Sequence, residues 1–453
     1  MVKVITYGTY DLLHQGHINL LKRAKELGDY LIVGVTADDF DKKRGKINVH
    51  QTLMERIEAV RETGYADEII IEEYEGQKID DIKRFGVDIF TVGSDWIGKF
   101  DYLNEYCKVI YLDRTKGISS SELRTKNRTI NLGIIGNNKL LEKYINESEF
   151  VNGLEITSLY TRDKNFLEYF DRDKITEYTE IEKFIENIDA VYVVSNPKNH
   201  FEDIKFALKN GKHVLCESPL TLTKEDCEYL HNLASEKNLI FMEAIKTAYS
   251  TAFNRLLLLV KSGYIGDIIS IDATCTSLKE LNETPKEEIL TKQNSLCAWG
   301  PTALLPIFML LGTNYKRHHF STYYLDKENN FDLFTKIDFT YPNAVATAKV
   351  GKGIKSEGEL IISGTKGYVY VPAPWWKTDY FEIRFEDETN NKRYFYQLDG
   401  EGIRYQLLTF IKSIEKQKST SYIDKNISIE IANIIEKFNN KEELDEIILG
   451  NEG

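Results

Sequence analysis

Over residues 1–125 short apolar runs alternate with stretches whose apolar positions recur at helical spacing. Residues 2–7, 31–35, 68–71, 89–92 and 109–112 have the Val- and Ile-rich character of strands. Between the first two, Leu20, Leu21, Ala24 and Leu27 share one helical face, and Gly28 supplies a stop. A further helix is expected over 53–63. Such alternation predicts a parallel sheet with right-handed crossovers and ligands at the carboxyl ends of its strands. A polar stretch at 125–130 separates this series from a second one, with strands at 131–135, 154–160 and 239–242. The longest apolar runs, 256–260 and 303–311, are too short to span a bilayer and read as buried core.

The first strand enters a helix through a turn containing Gly8, Thr9 and Asp11, then His14 and His17. A glycine there lets backbone N–H groups approach an anion. Two imidazoles three residues apart at a helix start share a face beside the positive dipole end, which suits a polyphosphate. His14, the loop after residue 35, Asp95 and Arg114 each follow a strand end, so they are expected to converge on one crevice. The stretch Thr6-Tyr7-Gly8-Thr9-Tyr10-Asp11-Leu12-Leu13-His14-Gln15-Gly16-His17 resembles the H-x-G-H signature of the cytidylyltransferases, most closely those acting on glycerol 3-phosphate. Arg114-Thr115-Lys116-Gly117-Ile118-Ser119-Ser120-Ser121 is similar to that family's R-T-x-G-I-S-T-T loop, and Gly93-Ser94-Asp95-Trp96-Ile97-Gly98-Lys99-Phe100-Asp101 to its G-D-D-W-x-G-K-F-D stretch. The resemblance implies attack of a phosphate monoester on the α-phosphorus of CTP, with Mg²⁺ bridging the phosphates. It assigns His14 and His17 to the α-phosphate and leaving pyrophosphate, and Arg114, Ser119 and Ser120 to closure over the nucleotide. Gly8, Thr9, Asp11 and Asp95 line the same site, Lys43, Arg44 and Lys46 reach the triphosphate, and Arg56 binds phosphate. Gly64 stands where the family carries a second arginine, with Arg61 nearby, which leans toward an acceptor longer than glycerol phosphate.

In the second series, only the first glycine of G-x-G-x-x-G is present, as Gly136; Asn138, which tolerates positive φ, and Leu141 occupy the others. The run from Ala190 through Asn196-Pro197-Lys198-Asn199-His200, then Gly211-Lys212-His213-Val214-Leu215-Cys216-Glu217-Ser218-Pro219, is similar to the Gfo/Idh/MocA oxidoreductases. The likeness continues through Met242-Glu243-Ala244-Ile245-Lys246 to Ser363-Gly364-Thr365-Lys366-Gly367. It implies an NAD(P) site drawing on Gly136, Asn138, Asn196, Pro197, His200, Glu217 and Ser218. Ser218 replaces the lysine that the family uses as proton donor in E-K-P, and no histidine occurs between His231 and His318. Lys246, at the end of an apolar strand, is the leading replacement, with Tyr249 second. After the strand at 154–160, Thr161-Arg162 takes the place of the acidic residue expected at the ribose of NAD, favouring NADPH over NADH.

The expected fold class is therefore α/β. A parallel-sheet, Rossmann-like nucleotidyltransferase domain (1–128) precedes an NAD(P)-binding Rossmann domain (129–248) and an α/β domain with an open antiparallel sheet (249–453). A length of 453 residues accommodates these domains, and a net charge of −13 argues against nucleic-acid or membrane-surface partners. Five cysteines without metal spacing argue for a reducing compartment, with neither disulfide nor structural zinc. With no signal pattern at the N-terminus, a cytoplasmic enzyme is expected, forming a homo-oligomer (dimer or tetramer) and taking small-molecule substrates. Joining the two resemblances implies NADPH-dependent reduction of a keto-sugar phosphate followed by CMP transfer, giving a CDP-polyol for capsule or cell-wall polymers. Two alternatives stand beside it: a cytidylyltransferase with a catalytically silent oligomerisation or sensing module, and an adenylyltransferase of the same superfamily.

Overall fold

Three sheets form among the described residues where the apolar runs meet. The computed structural model describes residues 1–37, 51, 53–74, 76–113, 129–136, 141–151, 153–162, 175–278, 293–377, 380–396, 398 and 400–448. The chain divides into two compact units, Met1–Thr129 with Val151–Gly153, and Ile130–Phe150 with Leu154–Gly453.

In the first unit β1 (Lys3–Gly8), β2 (Tyr30–Thr36), β3 (Glu68–Glu72), β4 (Ile89–Gly93) and β5 (Lys108–Leu112) pair in parallel in the order β3-β2-β1-β4-β5. Successive residues of a strand face opposite sides. Val4, Leu31 and Val33 accordingly pack with α1 (Gln15–Lys25) and α2 (Leu53–Glu62), while Ile5, Ile32 and Phe90 pack with α3 (Gln77–Phe85). Burial of both faces explains why these strands read as continuous apolar runs. Tyr7 pairs with Gly34, and a Cβ on Gly34 would fall 2.2 Å from the Tyr7 ring. The strand order reverses between β1 and β4, which opens a crevice at their carboxyl ends.

The second unit carries β6 (Ile130–Ile135), β7 (Leu154–Tyr160), β8 (Thr176–Tyr178), β9 (Ala190–Val193), β10 (His213–Glu217) and β11 (Phe241–Ala244), parallel in the order β11-β10-β9-β6-β7-β8. Helices α4 (Leu141–Ser148), α5 (Ile181–Glu186), α6 (Pro197–Lys209) and α7 (Lys224–Glu236) accompany it. β11 begins two residues later than the run at 239–242 suggests, because the Leu239 N–H bonds the Ala234 carbonyl at the end of α7 (2.9 Å). Here the order reverses between β6 and β9.

After α8 (Thr251–Lys261) the third sheet begins with β12 (Ile268–Thr276), followed by α9 (Ser295–Leu311). It continues through β13 (Arg317–Asp326), β14 (Phe331–Thr340), β15 (Val345–Gly351), β16 (Leu360–Gly364), β17 (Tyr368–Val371), β18 (Tyr380–Arg384) and β19 (Lys392–Phe395). Helices α10 (Ile403–Glu415) and α11 (Lys425–Asn439) precede β20 (Leu444–Glu446). The order is β19-β18-β17-β16-β12-β15-β14-β13-β20. The sheet is mixed rather than purely antiparallel: β12 with β15, and β13 with β20, run parallel. Parallel partners need long connections, and α9 and α11 lie within those connections. The apolar runs fall in α8 and α9, where Leu256, Leu257, Val260, Ala303, Leu304 and Leu305 are buried and Leu258 stays exposed. No helix among the described residues is long and apolar enough to cross a membrane.

Candidate active sites

The turn after β1 is shaped by residues that a pattern reading passes over. Tyr10 (φ 53°) and Leu12 (φ 48°) take the left-handed conformation, and Tyr10 is buried with its ring against Gly8, where a Cβ would come within 2.9 Å. The buried carboxylate of Asp11 accepts the Gln51 N–H (3.0 Å), and Gln51 Oε1 accepts the Leu12 N–H (2.8 Å). His14 is the N-cap of α1, its Nδ1 accepting the Gly16 N–H at 3.0 Å. Since a backbone N–H can only donate, the neutral imidazole must carry its own proton on Nε2. The His14 and His17 rings stack at 4.0 Å, 18° from parallel, and Tyr10 meets His17 edge-on at 5.5 Å. The turn thus presents two fixed imidazoles at a helix N-terminus, a donor arrangement for phosphate oxygens.

Arg56 lies under this turn with no exposure, its guanidinium donating to the carbonyls of Thr9 (2.6 Å), Thr36 (2.8 Å) and Gln51 (3.3 Å). It ties the ends of β1 and β2 together and adds a buried positive charge beneath the turn. Arg61 instead faces solvent, paired with Glu58. Gly64, at φ 71°, closes the turn after α2 with open space around it. Asp95 falls in the short 3-10 turn Ser94–Trp96 directly after β4, at the switch-point crevice. Lys43, Arg44, Lys46, Arg114, Ser119, Ser120 and Asn138 lie outside the described residues. A buried pair that the sequence reading missed, Lys78 with Glu72, sits at the end of β3, where Glu72 also accepts the Thr36 hydroxyl (2.8 Å). No motif marks it: the return of the chain into α3 sets Lys78 beside Glu72, and the pairing of β2 with β3 adds Thr36.

At the second switch point Gly136 (φ 135°) lets the turn after β6 touch the loop after β9: a Cβ there would lie 2.6 Å from the Ser195 nitrogen. Gly136→Ala is expected to cost at least about 2 kcal/mol, from both strained φ and backbone collision. A lowered denaturant midpoint for unfolding of this unit would register it. Asn196 caps α6, accepting the Lys198 N–H at 3.1 Å, and Pro197 takes the first helical position. His200 is fully buried, with its ring nitrogens 2.8 Å from the carbonyl oxygens of Pro219 and Ser195, and burial lowers its pKa. The expectation of direct ligand contact by His200 therefore gives way to a role in holding two loops. Thr161 is likewise buried. Arg162 binds both carboxylate oxygens of buried Asp203, at 2.5 and 3.2 Å, and the pair raises its pKa; its side chain stays 46% exposed.

At the end of β10, Glu217 accepts the Tyr192 hydroxyl, which in turn receives a bond from Gln406 Nε2 (2.8 Å); burial raises the Glu217 pKa. The Ser218 hydroxyl donates to Glu243, a buried carboxyl on β11 whose pKa burial also raises. Ser218 thus secures the β10–β11 edge. Tyr249, the second proton-donor candidate, is buried and donates to the Glu243 carbonyl at 2.8 Å, so burial and bonding both turn it away from solvent. Lys246 opens the 3-10 turn after β11 with its side chain 34% exposed. Burial lowers its pKa, opposed by Glu401 and Glu217 and reinforced by Lys377 and Lys143. Of the two candidates it alone keeps access to solvent.

Residues 5–126 match the family described as cytidylyltransferase-like, and residues 130–245 the oxidoreductase family with an NAD-binding Rossmann fold. The glycerol-3-phosphate cytidylyltransferase of Staphylococcus aureus (strain NCTC 8325 / PS 47) is 48% identical over 126 residues, 27% of this chain and 93% of that protein. That of Bacillus subtilis (strain 168) is 49% identical over 125 residues, 27% of this chain and 95% of that protein. Among solved structures, KijD10, a 3-ketoreductase from Actinomadura kijaniata in complex with NADP and TDP-benzene, superposes with a TM-score of 0.62 at 18% identity. The superposition covers 71% of this chain and all of that one, a likeness of fold.

Proposed function

Because the chain belongs to the cytidylyltransferase-like family over residues 5–126 and to the oxidoreductase family with an NAD-binding Rossmann fold over residues 130–245, we propose that one polypeptide performs two consecutive steps. A keto-sugar phosphate is reduced with NADPH to a polyol phosphate, and the polyol phosphate then receives CMP from CTP with release of pyrophosphate. The observation that carries this reading is the fusion itself: a nearly full-length cytidylyltransferase unit is joined to an oxidoreductase unit. We divide the chain into domains at 1–128, 129–248 and 249–453. The CDP-polyol product is an activated donor for capsule or cell-wall polymers, made in the cytoplasm by a homo-oligomer (dimer or tetramer).

In the first unit we assign His14 Nε2–H and His17 to the α-phosphate and the departing pyrophosphate. The dipole of α1 and buried Arg56 favour the same charge. Positioning and charge stabilisation account for most catalysis of this class. Gly8, Thr9, Asp11 and Asp95 form the wall around the nucleotide, Lys43, Arg44, Lys46, Arg114, Ser119 and Ser120 close over it, and Mg²⁺ accompanies the triphosphate. In the second unit the Gly136 turn, with Asn138, and the α6 start at Asn196 and Pro197 fit a dinucleotide at the switch point, beside Glu217 and Ser218. The nicotinamide supplies the hydride when bound. Lys246 donates the proton to the carbonyl oxygen being reduced. The exposed edge of Arg162 favours the 2′-phosphate of NADPH, although Asp203 balances much of its charge.

One assay tests the reading: the full chain with NADPH, CTP, Mg²⁺ and each of ribulose 5-phosphate, fructose 6-phosphate and dihydroxyacetone phosphate, followed by mass spectrometry of the nucleotide product. A CDP-polyol formed only when both NADPH and CTP are present is expected, with NADPH outperforming NADH. CDP-glycerol from added glycerol 3-phosphate, with no NADPH or NADH oxidation on any ketose phosphate, would establish the silent-module alternative. ATP outperforming CTP would establish the adenylyltransferase.

A further inference from the structure

Three lysines from distant parts of the chain converge on one carboxylate in the second unit. Lys143 of α4 lies 3.0 Å from Glu401 Oε1, while Lys377, in the turn Trp375–Lys377, and Lys246 lie 3.4 and 3.7 Å from Oε2. Among the described residues none of the three makes another ion pair. The other acid beside Lys246, Glu217, is half-buried and engaged by the Tyr192 hydroxyl. Three ammonium groups around one carboxylate leave a surplus of two positive charges. A single lysine would satisfy Glu401 as a surface pair, and gathering more costs like-charge repulsion. The repulsion is visible in the lowered pKa of Lys246, to which Lys377 and Lys143 both contribute after burial.

The surroundings are built rather than incidental. The glycines flanking Glu401 take left-handed φ values of 57° and 79°, and Arg404, two residues further on, is held by both oxygens of buried Glu147 on α4 (2.8 and 2.9 Å). The backbone of this turn is thereby anchored while the Glu401 side chain remains part exposed. On the other side, the Trp376 carbonyl accepts the Thr247 hydroxyl (2.9 Å), fixing the Lys377 turn next to Lys246. The Trp376 ring packs against Trp299 of α9 at 4.9 Å, and the buried Trp299 Nε1 has no hydrogen-bond partner among the described residues. A half-enclosed wall with a surplus of two positive charges matches a phosphate monoester dianion.

We propose that Lys143 and Lys377, with Lys246 beside them, form the subsite for the phosphate group of the reductase substrate, and that Glu401 occupies this position in the free protein and yields it to the phosphate. The identity of the ligand as a ketose phosphate rests on the reductase reading above; the anion site does not. The chain has four tryptophans, of which Trp299, Trp375 and Trp376 lie in this unit. In a full-length Trp96→Phe background, tryptophan emission therefore reports on this unit alone.

Titration with inorganic phosphate and with ribulose 5-phosphate is expected to give a saturable emission change. Lys143→Gln and Lys377→Gln each weaken the apparent affinity about tenfold. Glu401→Gln moves it the other way, tightening phosphate binding several-fold, because the competing carboxylate is gone. A purely structural ion-pair cluster would give weaker or unchanged binding in Glu401→Gln, and that result overturns the proposal. Lysine variants that weaken only the NADPH titration overturn it too, assigning the cluster to the cofactor. If phosphate binding responds to all three variants but no ketose phosphate oxidises NADPH, the reductase reading falls and the anion site stands. Turnover with phosphate binding indifferent to the variants sinks the site alone.

Discussion

Replacing His17 by alanine is expected to lower cytidylyl transfer by about 10³-fold, the scale for losing a preorganised donor aimed at developing phosphate charge. His17 is the cleaner position of the two imidazoles. His14 also caps α1 through the Gly16 N–H, so His14→Ala would mix a catalytic loss with about 1 kcal/mol of helix destabilisation. Losing the His17 ring removes a 4.0 Å stack on His14 and an edge contact with Tyr10, a cost small enough for the unit to stay folded. The measurement is pyrophosphate release from CTP with a polyol phosphate, beside circular dichroism. Full activity in a folded His17→Ala protein would remove the histidines from the chemistry. Reductase turnover, carried by the other unit, should persist.

Lys246→Met is expected to reduce NADPH-dependent turnover by about 10²- to 10⁴-fold, the range for removing a positioned proton donor. Methionine keeps the apolar stem, so the turn after β11 should survive. The pH dependence has a definite sign. A proton donor must be protonated, so the reduction rate is highest below the Lys246 pKa and falls as pH rises through it. That limb should lie below the usual lysine range, because burial, then Lys377 and Lys143, lower the pKa against the pull of Glu401 and Glu217. Lys377→Gln removes one repelling charge and should move the limb to higher pH. A profile unchanged in Lys377→Gln, or normal turnover in Lys246→Met, would direct the search to another donor.

Ser218 shows why a motif does not by itself settle that chemistry. Its hydroxyl is turned to Glu243 on the neighbouring strand, so the position reads as a strand-edge hydrogen bond. Lys246 lies at the end of β11, the strand paired with β10. The ends of these two strands are adjacent, so a proton donor can move from one to the other without leaving the site. Sequence spacing alone carries no such information.

What the sequence determined by itself is local and periodic. Continuous apolar runs alternating with helical stretches predicted the parallel sheet of the first unit, since burial on two faces leaves that mark on strands such as β1 and β2; the second unit's sheet is read from the family resemblance. His14-Gln15-Gly16-His17 gave the paired imidazoles, since positions three apart at a helix start must lie together. The tertiary structure decided everything that depends on which strand ends become neighbours. Arg56 is drawn to the carbonyls of Thr9 and Thr36, Arg162 to Asp203, His200 to two loop carbonyls, and Lys143, Lys246 and Lys377 to Glu401. In the last group Lys143 and Lys246 lie more than a hundred residues from Glu401 in the chain, and Lys377 reaches it from a separate turn. Strand order and register bring them within a few ångströms, and neither leaves a periodic trace in the residues themselves.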